Sequence, residues 1–100
     1  MASEVVWLEE ARENLDEIIA HIAEASPAAA RKYRSGLVNA CRKLADFPRS
    51  GRRYNDLFRA LIYRNHIIFY QVIGNADRVH IVMVIDARRD VDGIVLDLLT

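Results

Sequence analysis

The sequence has 100 residues, 52% of them hydrophobic and 28% charged, with 14 basic side chains against 14 acidic ones. This is the composition of one ordinary globular domain with one core, which excludes a disordered chain, and the zero balance argues against a general nucleic-acid binder. No apolar run approaches the ~18 residues of a membrane span, the first residues are acidic rather than signal-like, and Cys41 is the only cysteine. A cytoplasmic setting is therefore expected, with no internal disulfide and no cysteine metal cluster.

Val5-Val6-Trp7 suits a short strand. Leu8, Ala11, Leu15, Ile18, Ile19 and Ile22 then recur at helical spacing, so residues 9–24 read as an amphipathic helix. Ser26-Pro27 restarts a helix, with Ser as N-cap and Pro at the first helical position, where no N–H is needed. The second stripe runs through Ala30, Tyr33, Leu37, Cys41 and Leu44 and stops near Phe47-Pro48. The short break between the helices favours an antiparallel hairpin, and Cys41 on the stripe reads as a small core residue.

Residues 49–56 read as a polar, basic loop. Phe58–Tyr63 follows as a strand, Arg64-Asn65 as a turn, Ile67–Ile73 as a second strand, Gly74–Asp77 as a hairpin loop and Val79–Ile85 as a third strand. The last two strands are apolar on both faces, as expected for central strands with helices on one side and another cover opposite. The tail 90–100 suits either a short helix capped by Asp90 or a further strand. The expected fold is α+β, a single domain over residues 1–100 in the order β-α-α-β-β-β, with the N-terminal strand and helical hairpin packed on a largely antiparallel sheet.

The charge is segregated along the chain. Residues 1–24 hold seven acids and Arg12, residues 25–64 hold ten bases against Asp46 and Asp56, and residues 65–100 hold five aspartates and three arginines. Twelve of the fourteen bases are Arg, which favours planar contact with carboxylate or phosphate. Glu9, Glu13 and Glu17 stand four apart and repel one another on an isolated helix; Arg31, Lys32, Arg34, Arg42 and Lys43 are expected to relieve this across the hairpin.

Known catalytic signatures are lacking. His21, His66 and His80 show no metal-ligand spacing, the serines have no nucleophile-elbow context, and the four glycines are too scattered for a phosphate loop. No metal or cofactor is expected. Metal-independent RNA cleavage needs a base for the 2′-OH, cations for the crowded phosphorane and an acid for the leaving oxygen. Arg49, Arg52, Arg53, Arg59, Arg64, Arg88 and Arg89 offer cations, but no base and acid pair stands out, so a catalytic residue is not assigned.

A series of fragments then adds up across almost the whole chain. These are Val6-Trp7 with Ala11 and Leu15, Ile18-Ile19-Ala20-His21-Ile22, Ser26-Pro27-Ala28-Ala29, Leu44-Ala45-Asp46-Phe47-Pro48 with Gly51-Arg52, Arg59-Ala60-Leu61, Ile68-Phe69-Tyr70-Gln71-Val72 and Asp86-Ala87-Arg88-Arg89-Asp90-Val91. In this order the chain resembles the ParE branch of the RelE/ParE superfamily, toxins of bacterial type II toxin–antitoxin modules. The resemblance implies a toxin neutralised by a cognate antitoxin and poisoning DNA gyrase by trapping its cleaved-DNA state, without catalytic chemistry of its own. The alternatives it leaves are a ribosome-dependent mRNA endoribonuclease of RelE type and a decayed toxin that only binds antitoxin. Asp86 where the family often has His, uncharged Ile67 and Gln71, the neutral total and a C-terminus without Tyr or His all favour ParE over RelE.

The resemblance carries over Arg59, Arg88, Arg89 and Asp90 as target-contact positions, and Arg64 joins them as a cation at the end of the same strand. Internal pairing of an arginine by Asp90 or Asp92 is the structural alternative. Ile68, Tyr70, Val82 and Val84 are expected on the uncovered sheet face as antitoxin contacts, with the basic middle suited to an acidic antitoxin segment. Gyrase and the antitoxin are the expected partners; no membrane and no direct sequence-specific nucleic-acid binding is expected.

Overall fold

The computed structural model describes residues 2–100. Their order is β1 (Glu4–Trp7), α1 (Glu9–Ala25), α2 (Pro27–Arg42), a 3-10 turn at Lys43–Ala45, β2 (Arg52–Arg53), β3 (Arg59–Tyr63), β4 (His66–Ile73), β5 (Arg78–Asp86) and α3 (Val91–Leu99). The strands form one sheet in the order β1-β5-β4-β3-β2, antiparallel throughout except for β1, which runs parallel to β5. Parallel neighbours need a crossover, and the α1–α2 hairpin lies within the segment that makes it.

The two helices form where the apolar stripes place them. Ser26 Oγ accepts from the Ala29 N–H at 3.1 Å and Pro27 occupies the first turn of α2. Replacing Ser26 with Ala leaves that donor without its cap; the expected cost is about 1 kcal/mol, read as a lower urea midpoint with an unchanged slope. Charge relief between the helices is smaller than the sequence suggests. Arg34–Asp16 at 3.2 Å is the only α1–α2 ion pair among the described residues, because the helices meet through their apolar stripes and hold most charges on their outer faces.

The hairpin covers one face of the sheet. Ala11, Leu15, Leu37, Cys41 and Leu44 pack there against Ile68, Tyr70, Val79, Ile81 and Val84. Burial pushes the Cys41 thiol up to about 12, so it stays a neutral core group. The opposite face carries a second cluster, Phe58, Phe69, Met83, Ile85 and Val95. The tail is a helix: Asp90 accepts from the Gly93 N–H at 3.2 Å, and α3 turns Val91, Ile94 and Val95 onto this second face. The Tyr54 hydroxyl donates to Asp92 and so ties the first turn of α3 to the segment after β2.

This arrangement corrects the face assigned to the antitoxin-contact residues. Ile68, Tyr70 and Val84 point under the helical hairpin and are 0–4% exposed. Val82 alone lies on the other face. A bulge displaces the register, so that Phe69 pairs with Met83 but Tyr70 pairs with Ile81, leaving Val82 as the extra residue of β5. Alternation counted through Val82 and Val84 therefore fails.

The basic loop 49–56 also contains order. Arg52 and Arg53 pair with Ala60 and Arg59 as a two-residue edge strand. Gly51 donates to Tyr70 Oη at 2.9 Å, and a Cβ at this glycine would meet that oxygen at 2.6 Å and the Ala60 carbonyl at 2.8 Å. Only glycine allows so close an approach. At the β3–β4 turn Arg64 has φ 52°, a left-handed conformation costing a non-glycine residue about 1–2 kcal/mol.

Candidate functional site

β1 pairs with β5 only from Arg78 to Ile81. Beyond that point the β5 edge has no strand partner, and Asn14 of α1 supplies an acceptor for the Val84 N–H at 3.0 Å. The space between α1 and the far end of β5 opens into a cleft of about 360 Å³. Ile18, Ile22 and Val84 contribute apolar surface, Glu17 and His21 stand on α1, and Asp86, Arg88 and Arg89 line it from the chain leaving β5.

Tyr33 from α2 and His66 from the start of β4 meet in this cleft, with Tyr33 Oη 2.6 Å from His66 Nδ1. Burial lowers the His66 pKa and raises that of Tyr33. A neutral imidazole accepting from a neutral phenol satisfies both shifts, and His66 pairs directly across the ladder with Asp86. Both residues escaped sequence reasoning. The available signal was the period of two through His66, Ile68 and Tyr70, which places the histidine on the inward face; its pairing with Tyr33, 33 positions earlier, is tertiary.

Asp86 holds Arg88 by a bidentate contact, Nε to Oδ1 at 3.1 Å and Nη2 to Oδ2 at 2.9 Å, and accepts the Arg88 N–H at 2.9 Å. These bonds hold the Asp86 carboxyl well below the usual carboxylate range and raise the Arg88 pKa. The arginine of the closing motif is thus paired internally, but by Asp86; Asp90 caps α3 and Asp92 takes the Tyr54 hydroxyl. Arg89 is exposed and has no ion pair among the described residues.

The five target-contact candidates separate accordingly. Arg88 and Arg89 line the cleft, Asp90 sits just beyond at the helix cap, and Arg64 lies at the β3–β4 turn. Arg59 belongs elsewhere, at the opposite end of β3, where its guanidinium donates to the carbonyls of Gly51 at 2.9 Å and Arg49 at 3.3 Å. Its visible work is to fold the basic loop back onto the sheet. Among the described residues no group of three or more His, Cys, Asp or Glu side chains gathers as a metal site, and no helix is long and apolar enough to cross a membrane.

No curated protein sequence matches the chain. The fold is similar to that of a chain from the chromosomal ParDE toxin–antitoxin system of P. aeruginosa, with a TM-score of 0.74 and 20% identity over 87% of this chain and 98% of that one. It is also similar to the isolated E. coli RelE toxin, with a TM-score of 0.58 and 16% identity over 99% and 100% of the two chains. Residues 5–91 match the family model described as the ParE toxin of the type II toxin–antitoxin system parDE. The chain belongs to the ParE toxin family of type II toxin–antitoxin systems.

Proposed function

We propose that this ParE-family toxin is neutralised by a cognate antitoxin and acts by trapping DNA gyrase in its cleaved-DNA state, without making or breaking bonds itself. The observation that carries the reading is the ParE family match over residues 5–91. The side-chain geometry favours it over RNA cleavage: Arg59 and Arg88 are apart and each is engaged by oxygens of the protein, while Tyr33 and His66 are bonded to one another. Arg88, Arg89 and Asp90 form the target-contact segment; both arginines are exposed, Arg89 without an ion pair among the described residues and Arg88 set in place by Asp86.

Antitoxin contact falls to the sheet face opposite the hairpin. Val82 and Ile62 lie on it, and α3, packed over part of it through Val91, Ile94 and Val95, adds exposed leucines; Ile62 and Leu96 are each 61% exposed. Covering this face removes a set of large apolar side chains from water. Ile68, Tyr70 and Val84 contribute from below, by holding the strands in place.

Expressed alone, the protein should cause filamentation, a DNA-damage response and accumulated gyrase–DNA cleavage complexes, and co-expression of the neighbouring antitoxin should restore growth. Arg89→Glu should weaken gyrase inhibition by about tenfold or more, the loss expected for one interface arginine. Growth arrest with intact DNA and cleaved mRNA would refute the gyrase reading and select the RelE-type one. Tight antitoxin binding without toxicity would select a decayed toxin.

A further inference from the structure

On the other side of Tyr33 from the cleft lies a second pocket, of about 350 Å³, between the start of α2 and the β3–β4 turn. Lys32, Tyr33, Gly36, Tyr63 and Arg64 line it with Ala29, and no acidic side chain does. Both cations are exposed, and neither has an ion pair among the described residues. The pocket also meets the first turn of α2, which contains no acid and whose dipole adds positive potential.

Arg64 is placed there at a cost. Its left-handed backbone would suit glycine or asparagine, yet the chain carries arginine and sets its guanidinium 5.8 Å from the centre of the Tyr63 ring. Gly36 leaves room for Tyr63, whose hydroxyl occupies the space a Cβ would take. That hydroxyl has no hydrogen-bond partner among the described side-chain bonds, so it is a third donor beside Lys32 and Arg64.

Two free cations and a free hydroxyl around an acid-free hollow are a receptor for an anion with several acceptor oxygens. We propose that Lys32, Arg64 and Tyr63 form a contact site for the phosphodiester backbone of DNA, so that the toxin touches nucleic acid directly and independently of base sequence. The neutral total charge fits a local contact rather than general binding: the acids of α1 lie on a different helix, and the nearby carboxylate of Asp86 is occupied by Arg88. The choice of DNA over RNA rests on the gyrase reading, since DNA is what gyrase holds.

The test uses the purified full chain without gyrase, titrated into fluorescently labelled duplex DNA and RNA of matched length, with anisotropy read across a salt series. Two phosphate contacts give a log–log salt slope of about −1.8, so raising salt fourfold weakens the site's contribution about tenfold. Lys32→Glu/Arg64→Glu should remove that increment for DNA, with a shallower slope. Arg78→Glu, the same kind of charge change at the opposite end of β5, should retain the slope. Circular dichroism and thermal melting check that each variant is folded. No DNA binding by the wild-type chain, an equal loss in Arg78→Glu, or binding to RNA alone would overturn the proposal. Gyrase cleavage complexes formed by a toxin that does not bind DNA would leave the gyrase reading standing while this one fell.

Discussion

Phe69→Ala should lower the stability of the folded toxin by about 3–5 kcal/mol, the range for truncating a fully buried phenylalanine. Phe69 is 0% exposed and forms the centre of the second face: the Tyr54 ring meets it edge-on at 4.9 Å, the Phe58 ring at 6.2 Å, and Met83, Ile85 and Val95 belong to the same cluster. The truncation opens a cavity between the sheet and α3, so the loss includes contacts on both sides as well as transfer free energy. Urea denaturation gives the size of the effect. Hydrogen exchange gives its location: amides of α3 should lose protection before those of α1 and α2, because Val95 packs in this cluster whereas Leu15 and Leu37 pack in the other. Uniform loss in both helical layers would show that the two clusters do not separate in this way. Since the segment 86–90 leads directly into α3, the variant should also lose toxicity more than its remaining folded fraction explains.

Tyr33→Phe should cost about 1–3 kcal/mol, because it removes the donor to His66 Nδ1 and leaves that nitrogen in a site only 9% exposed. The same pair makes stability depend on pH. Burial lowers the folded-state pKa of His66, so between that value and about 6.5 the unfolded chain binds the proton that the folded chain refuses. The stabilisation is present above about pH 6.5 and declines as the pH falls through this window, levelling off once the folded state also protonates. His66→Gln should flatten the decline. Asp86 shifts in the same direction in a lower window: its stabilisation is lost only as the pH drops below its ordinary carboxylate range, since Arg88 favours the ionised form. Denaturation midpoints measured between neutral and mildly acidic pH therefore isolate His66. An unchanged slope in His66→Gln would place the titrating group elsewhere.

Much of the site was legible only in part, for reasons that particular residues make clear. The sequence places Arg88, Arg89 and Asp90 just after the last strand, which is where they lie, because a strand end followed by a polar cluster is a local signal. The partner of Arg88 is also close in sequence, but the sequence pointed to Asp90 or Asp92; Asp86 becomes the partner where the backbone turns at Ala87, whose N–H donates to the Asn65 carbonyl. Arg59 reads as one of a group of free arginines; the fold spends it on two carbonyls of the loop before β3. Tyr33, by contrast, reads as a position in an apolar helical stripe and proves to be the wall between two pockets.

By itself the sequence determined the elements: two helices from 3.6-residue apolar periodicity, their junction from Ser26-Pro27, two strands joined at Gly74–Asp77, and an α+β domain built from them. These are local properties, set by backbone geometry and by which side chains recur on one face. Tertiary structure decided which face of each strand the helices cover, since β4 and β5 are apolar on both sides and alternation without polarity has no direction. It decided the bulge at Val82, the parallel pairing of β1 with β5 and the two-residue strand at Arg52–Arg53, all of which depend on hydrogen bonds to distant segments. It also decided where charge is available. The zero total conceals Arg88 neutralised by Asp86 and Arg34 paired with Asp16, while Lys32, Arg64 and Arg89 have no ion pair among the described residues. Ion pairing is settled by distance in space, which the order of residues does not contain.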